Sequence, residues 1–199
     1  RLYQSLMLIS FLMSWVVVSY LVEAFLNVRT GFIVKTIFPA LGIGQIYDFY
    51  MEPSFWPFIL IFVHIWKSIG FTAIIYYSAI VGINEEFYEA AKIDGATKWQ
   101  EIKTITLPCL KPTIVLLFIL SMGKIFYSDF GLFYQVPKNS GMLYNVTQTI
   151  DTFVYNALMT QNNLGMSSAA GFYQSLVGFV LVILANWVIR KVDPESALI

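Results

Sequence analysis

Side chains able to do chemistry are scarce in this sequence. His64 is the only histidine and Cys109 the only cysteine among 199 residues. No intramolecular disulfide or cysteine-based zinc cluster can form, and a histidine-based metal or catalytic site lacks its members. No metal and no cofactor is expected. What remains is charge in apolar surroundings. His64 and Lys67 lie three apart in the apolar run Phe55 to Val81, so they share a helical face, and Phe71 extends that stripe. Lys124 lies in the outer half of a later apolar run. A cation at mid-membrane costs about 2.5–3.5 kcal/mol on insertion scales, so it faces a partner group or a water-filled path. Lys67, His64 and Lys124 are therefore candidates for a substrate path. Plainer readings stand beside this one. Lys67 also suits an ion pair with a carboxylate outside this sequence, and Lys124 suits a side chain that snorkels outward or pairs with Asp129.

A second cluster of charge is organised differently. Glu89 to Pro108 is a polar stretch between two long apolar runs. Asn84 is placed to cap a helix, because its side-chain oxygen can accept from free backbone N–H groups. Glu85 and Glu86 then fill the first turn, where the helix dipole favours carboxylates. Ala90 and Ala91 are strong helix formers with little bulk. Gly95 is the natural stop, since it tolerates left-handed dihedrals. A second short helix fits from Thr97 to about Thr104, and Pro108 and Pro112 mark the start of the next apolar run. The bare Ala90–Ala91 face is flanked by Glu85, Glu86, Glu89, Lys92, Asp94 and Lys98, which suits docking into a groove on another protein. An ordinary solvated loop would show the same signals.

The elements that must carry these residues belong in a membrane. The chain is 58% hydrophobic and 12% charged, with a mean hydropathy of +0.70. A soluble domain carries roughly 25% charge. Twelve basic and twelve acidic residues cancel, so no case arises for nucleic-acid binding. Leu6 to Leu26 is long enough to cross a bilayer core, with Ser10, Ser14 and Ser19 suited to close helix packing. Asn27 to Pro53 reads as an external connection with an interfacial helix at Phe32 to Leu41. Phe55 to Val81 is a second span, long enough to tilt. Thr113 to Tyr127 is a third apolar run, with a helix expected from near Cys109 to beyond Tyr127. Ser128 to Ala170 is polar, with a helix expected at Tyr144 to Leu158, and Gly171 to Ile189 is the last span. With the Glu89 loop inside, the cytoplasmic cations are Arg1, Lys92, Lys98, Lys103, Lys111, Arg190 and Lys191, against Arg29, Lys35 and Lys138 outside. That bias obeys the positive-inside rule.

The loop resembles the cytoplasmic EAA loop of the permease subunits of ABC importers. The pattern is Glu-Ala-Ala, three residues, Gly, nine residues, Ile, one residue, Leu-Pro. Glu89-Ala90-Ala91, Gly95, Ile105 and Leu107-Pro108 fill every fixed position, and Asp94-Gly95-Ala96 is similar to the carbohydrate branch of that family. The resemblance implies an all-α, polytopic membrane protein of the MetI-like transmembrane-domain type. Here about four spans are present, and one or two more are expected ahead of Arg1. It implies a transmembrane domain over residues 1–199 with the coupling loop at 84–108. It also implies a bacterial cytoplasmic membrane location and a set of partners: cytoplasmic ATPase subunits, a second permease subunit, an external sugar-binding protein, an oligosaccharide and the lipid bilayer. Carried over, Glu89, Ala90, Ala91, Asp94 and Gly95 form the ATPase-coupling element. Glu89 holds the loop or meets a cation of the ATPase.

Ser128 to Pro137, with Thr149 to Tyr155, is similar to permeases for aldouronate or polygalacturonan fragments, which are acidic oligosaccharides. On that resemblance Lys67 becomes a candidate to meet a uronate carboxylate. No Gly-x-x-x-x-Gly-Lys-Ser/Thr pattern occurs, so the resemblance places ATP hydrolysis on a separate subunit and makes this chain no enzyme. The alternative is a secondary transporter, or another multi-span protein without an ATPase. A secondary transporter calls for paired broken helices and carboxylates at mid-membrane, and only Glu23 comes near such a position.

Overall fold

The computed structural model describes residues 2–43, 47–122, 124–125 and 127–192, so Arg1 lies outside the described residues. No strand occurs among them. The chain forms two compact units, one of Arg1–Ile69 with Tyr127–Ser175, the other of Gly70–Phe126 with Leu176–Ile199.

The first unit begins with a departure from the sequence reading. Leu6 to Leu26 does not form one straight helix. α1 (Leu2–Leu12) and α2 (Trp15–Leu26) meet at a bend of 94°. Ser14 sits extended at φ −67°, ψ 151° and its side chain accepts from Val17 N–H, so it caps α2 and interrupts the ladder of α1. Hydropathy carries no trace of that cap. α2 buries Val18, Ser19, Val22 and Leu26, a stripe at helical spacing. Ser19 Oγ donates to the Gln135 carbonyl at 2.7 Å.

A π-helical turn at Ile33–Ile37 leads into the three-residue α3 (Phe38–Ala40), which supplies the expected helix after Phe32. Rings of Phe38, Tyr47, Phe49 and Phe55 then meet one another at 5.4–6.1 Å. Trp56, fully buried, donates its indole N–H to the Phe49 carbonyl. The core of this unit joins Val18, Val22, Leu26 and Val34 to Trp56, Leu60, Val63, Leu132, Val136 and Leu143.

α4 (Trp56–Val81) begins in the first unit and ends in the second. α5 (Glu85–Ile93) and α6 (Lys98–Glu101) follow. The short helix expected to end near Thr104 does not stop there. It passes through a π turn at Ile102–Thr106 into α7 (Leu107–Met122), a helical run of 25 residues from Lys98 to Met122. At 1.5 Å per residue that is about 37 Å, already enough for a bilayer core. The helix therefore need not reach Tyr127, and it closes in turns, with Lys124 N–H on the Ser121 carbonyl.

The expected helix Tyr144 to Leu158 is split into α8 (Tyr144–Thr147) and α9 (Ile150–Met159). Thr149 and Thr152 form a reciprocal capping box, which starts α9 afresh. α10 (Leu164–Val192) runs to the end of the described residues.

Three π turns share one sequence signature. Ile33–Ile37, Ile102–Thr106 and Gly131–Gln135 are each followed by one residue and then a proline, Pro39, Pro108 and Pro137. A proline ring clashes with the carbonyl four residues back. Widening the preceding turn moves that carbonyl aside. Phe38 N–H accordingly reaches the Ile33 carbonyl, and Leu107 N–H the Ile102 carbonyl, five residues back rather than four.

Among the described residues three helical stretches, Pro53–Val81, Lys98–Met122 and Leu164–Trp187, are long and apolar enough to cross a membrane, and α1 with α2 makes up to four. Only 17%, 6% and 11% of their most apolar windows is buried within the chain, so their surfaces call for lipid or partner helices.

Candidate functional site

The loop between α4 and α6 is built by caps at every junction. Asn84 Oδ1 accepts from Glu86 N–H at 3.1 Å, and Asn84 Nδ2 donates to the Glu86 carboxylate at 3.0 Å. Glu85 and Glu86 occupy the first turn and Lys92 the last, both in line with the helix dipole. Gly95, at φ +75°, closes α5. Its N–H reaches the Lys92 carbonyl at 3.1 Å and Ala96 N–H reaches the Ala91 carbonyl at 2.9 Å. That pair of bonds is a Schellman stop. Two residues on, Thr97 and Gln100 form a second capping box. Lys98 pairs at 2.7 Å with Glu101, whose carboxylate is otherwise buried. Tyr88 and Thr106 share a hydroxyl hydrogen bond of 2.9 Å that ties α5 to the run entering α7.

Glu89, Ala90, Asp94 and Gly95 are exposed and Ala91 is half-buried; no residue of α5 is buried. Beside them Phe87, Ile93 and Trp99 stand 56%, 87% and 72% exposed. Large apolar side chains on a polar loop mark a surface made to be covered. Of the five residues singled out in the sequence, Glu89, Ala90 and Ala91 thus lie on this short, capped helix, and Asp94 and Gly95 form its C-terminal stop.

Of the three substrate-path candidates, Lys67 and His64 belong to the first unit and have different surroundings, and Lys124 belongs to the second. Lys67 is 9% exposed, and its ammonium donates to the carbonyls of Phe11 at 2.6 Å and Met13 at 2.7 Å, with Ser10 at 3.5 Å. The charge expected to meet a carboxylate is spent on a helix end. His64, three residues earlier, instead lines an open groove of about 470 Å³ with Tyr127, Ser128, Asp129, Leu132 and Phe133. Lys124 lies outside the helix in which it was expected. It is exposed in the turn after α7, which corrects its expected place inside a span.

Sequence reading passed over a polar hub in the first unit. Ser128 N–H and Oγ both donate to Asp151 Oδ2 at 2.6 Å, and Gln174 Nε2, almost fully buried, donates to Asp151 Oδ1 at 3.0 Å. One carboxylate thus joins the start of the polar segment, α9 and α10. Nearby, Phe130, Tyr134 and Tyr155 stack with centroids 4.8–5.0 Å apart. Burial, reinforced by the Tyr155 hydroxyl, pushes the Tyr134 phenol above its ordinary value. The Asp in the run Thr149 to Tyr155 was the available signal, as an acid between two threonines at a helix start. Among the described residues no group of three or more His, Cys, Asp or Glu side chains is placed to hold a metal.

Comparisons with known proteins agree with this geometry. Protein LplB of Bacillus subtilis (strain 168) is 31% identical over 98% of this chain and 60% of its own length. The polygalacturonan/rhamnogalacturonan transport system permease protein YteP of the same organism is 33% identical over 97% of this chain and 59% of its own. A crystal structure of a bacterial ABC transporter involved in the import of the acidic polysaccharide alginate superposes with a TM-score of 0.88 at 32% identity, covering 96% of this chain and 65% of that one. The chain therefore spans about three fifths of the length of the curated relatives it matches. The family model described as binding-protein-dependent transport system inner membrane component matches residues 1–194. This all-helical chain, with its capped loop between apolar helices, belongs to that family of membrane permeases.

Proposed function

We infer that the chain is the translocating subunit of an ATP-driven importer of acidic oligosaccharides, and that α5 is the element through which a cytoplasmic ATPase moves it. The observation that carries this is the uncovered α5, held at both ends by caps and tethered by Tyr88 to a helical run that continues into α7. A partner pushing on α5 moves α7 with it. Glu89 and Asp94 offer carboxylates to a basic groove, and Ala90 permits close approach. ATP is hydrolysed on that partner, and a second permease subunit covers the exposed apolar faces. An external binding protein delivers the sugar. Among relatives, a solved alginate transporter is described in complex with an alginate pentasaccharide-bound periplasmic protein.

The acidic class of substrate rests on the two relatives whose descriptions name polygalacturonan and alginate. Lys124, exposed after α7, is the candidate cation for the sugar carboxylate. The test is ATP-dependent uptake into proteoliposomes carrying the assembled transporter. Glu89→Lys abolishes uptake and leaves membrane insertion intact. Lys124→Met lowers uptake of an oligogalacturonate more than that of a neutral oligosaccharide of equal length. Normal uptake in Glu89→Lys sinks the coupling role, and equal loss of both sugars in Lys124→Met sinks the carboxylate contact.

A further inference from the structure

The end of α1 is an unusual arrangement of oxygens. The ladder of α1 stops at Leu12 because Ser14 caps the next helix. Backbone carbonyls just before such a break lose their helical donors. In a membrane they find no water to replace them. Those of Phe11 and Met13 point at one atom, Lys67 Nζ, at 2.6 and 2.7 Å, with Ser10 at 3.5 Å. The rings of Phe11 and Trp15 cover the same atom at 5.5 and 5.0 Å. No carboxylate is among its hydrogen-bond partners in the described residues. Asp129 acts on it only through space. The ring of Trp15 is in turn fixed by Gly131, where an added Cβ would fall 2.0 Å from Trp15 Cδ1.

Carbonyl oxygens at an unwound helix, roofed by π faces, make a coordination shell for a small monovalent cation. Transporters with broken helices hold sodium in such shells. A lysine ammonium is a compact point charge with three donors, and it replaces such an ion in charge and in reach. We propose that the break between α1 and α2 is a monovalent-cation site filled by the protein's own ammonium, Lys67, which holds the broken helix without a dissolved ion. Lys67 is then a positioning residue for the translocating helices and not a ligand of the sugar. A dissolved ion would leave and return with the ionic conditions, whereas a tethered one keeps the break formed in every salt.

The experiment removes the tether and supplies the ion. Lys67→Ala and Lys67→Met are made in the assembled transporter, purified and reconstituted. Thermal unfolding and ATP-dependent uptake are measured in choline, sodium, potassium, ammonium and methylammonium chlorides at one ionic strength. Lys67→Ala is expected to lose most of its uptake in choline and to regain it in ammonium or methylammonium, with a parallel rise in unfolding midpoint. The unaltered protein is expected to be indifferent to the cation. Lys67→Met fills the space with an uncharged chain and is expected to lose uptake in every salt. Should Lys67→Ala fail to accumulate, ammonium during growth and solubilisation is expected to restore it. Its absence in every salt while Lys67→Met accumulates would overturn the proposal. So would a Lys67→Ala protein that no cation stabilises, one that works normally in choline, or one that loses only acidic sugars. The unfolding midpoint needs no substrate, so this site can fail or stand independently of the sugar inferred above.

Discussion

Replacing Gly95 by proline tests the coupling loop at its turn. Gly95 sits at φ +75°, and proline is confined to about −65°. The substitution also deletes the N–H that reaches the Lys92 carbonyl at 3.1 Å, and it undoes the left-handed step that brings Ala96 N–H within 2.9 Å of the Ala91 carbonyl. Each such bond contributes roughly 0.5–1.5 kcal/mol net. Their joint loss is about 1–3 kcal/mol, which corresponds to roughly 5- to 150-fold in an equilibrium between loop conformations. A Cβ at Gly95 meets nothing within 4 Å, so the substitution acts through the backbone of the turn and not through a Cβ clash. The matched control is Gly95→Asn, which keeps the N–H and tolerates the left-handed region. Uptake of labelled oligosaccharide and substrate-stimulated ATP hydrolysis are measured in the same proteoliposomes. Gly95→Pro is expected to insert normally and to lose both signals, while Gly95→Asn keeps most of each. Uptake by Gly95→Pro close to that of the unaltered protein would refute the reasoning, because no other residue supplies that turn.

Three further outcomes follow from packing, charge and orientation. Gly131→Ala drives a methyl group into Trp15; overpacking of this kind costs about 1–3 kcal/mol, and Gly131→Ala with Trp15→Leu should unfold at a higher temperature than Gly131→Ala alone. Asp151→Asn turns an acceptor of three hydrogen bonds into a group with one N–H₂ face, and hydrogen bonds to a charged group contribute about 1.5–3 kcal/mol, so the midpoint of thermal unfolding should fall while Asp151→Glu falls less. Cysteine at position 98 should resist an impermeant thiol reagent applied from outside and cysteine at 138 should react, both in a Cys109→Ser background because Cys109 is exposed; the reverse pattern would invert the proposed orientation.

The loop was legible because its structure is made of local chemistry. Asn84, Gly95 and Thr97 act on neighbours within a few residues, and caps of that range are written in order along the chain. The two runs similar to permeases for acidic oligosaccharides, Ser128 to Pro137 and Thr149 to Tyr155, lie far apart in sequence but form one structure, joined by Ser128 on Asp151 and by Tyr134 against Tyr155. The break at Ser14 was not legible, because a serine in an apolar run gives the same hydropathy whether it packs or caps. The contacts of Lys67 were not legible for a related reason. Its partners are backbone carbonyls, which every residue has, so no residue type advertises them. Lys124 moved because the helix before it starts nine residues earlier than Leu107 and is long enough by Met122.

The prolines bear on how the loop would act. Pro108 stands at the motif position where a helix is expected to begin, yet the helix runs through it from Lys98. An unrelieved proline inside a helix costs about 3 kcal/mol and kinks it. Here the π turn at Ile102–Thr106 takes up the ring, with Leu107 N–H on the Ile102 carbonyl. Whereas Pro112 lies within α7 with no wide turn directly before it, the same device stands before Pro39 and Pro137. In the loop its consequence is mechanical. A hinge at Pro108 would let α6 swing while α7 stayed still, and force applied at α5 would be lost. A continuous run transmits it. Pro108→Ala removes the reason for the wide turn and lets Ile102–Thr106 relax to an ordinary α turn. Losing one residue of π widening rotates everything on the Lys98 side by about 100° relative to α7. That rotation would misplace the Tyr88–Thr106 hydrogen bond that ties in α5. Pro108→Ala should therefore insert and fold at least as stably as the unaltered protein while its ATP hydrolysis responds less to substrate. A variant that is stabilised and still fully coupled would show that the wide turn serves only to accommodate the ring.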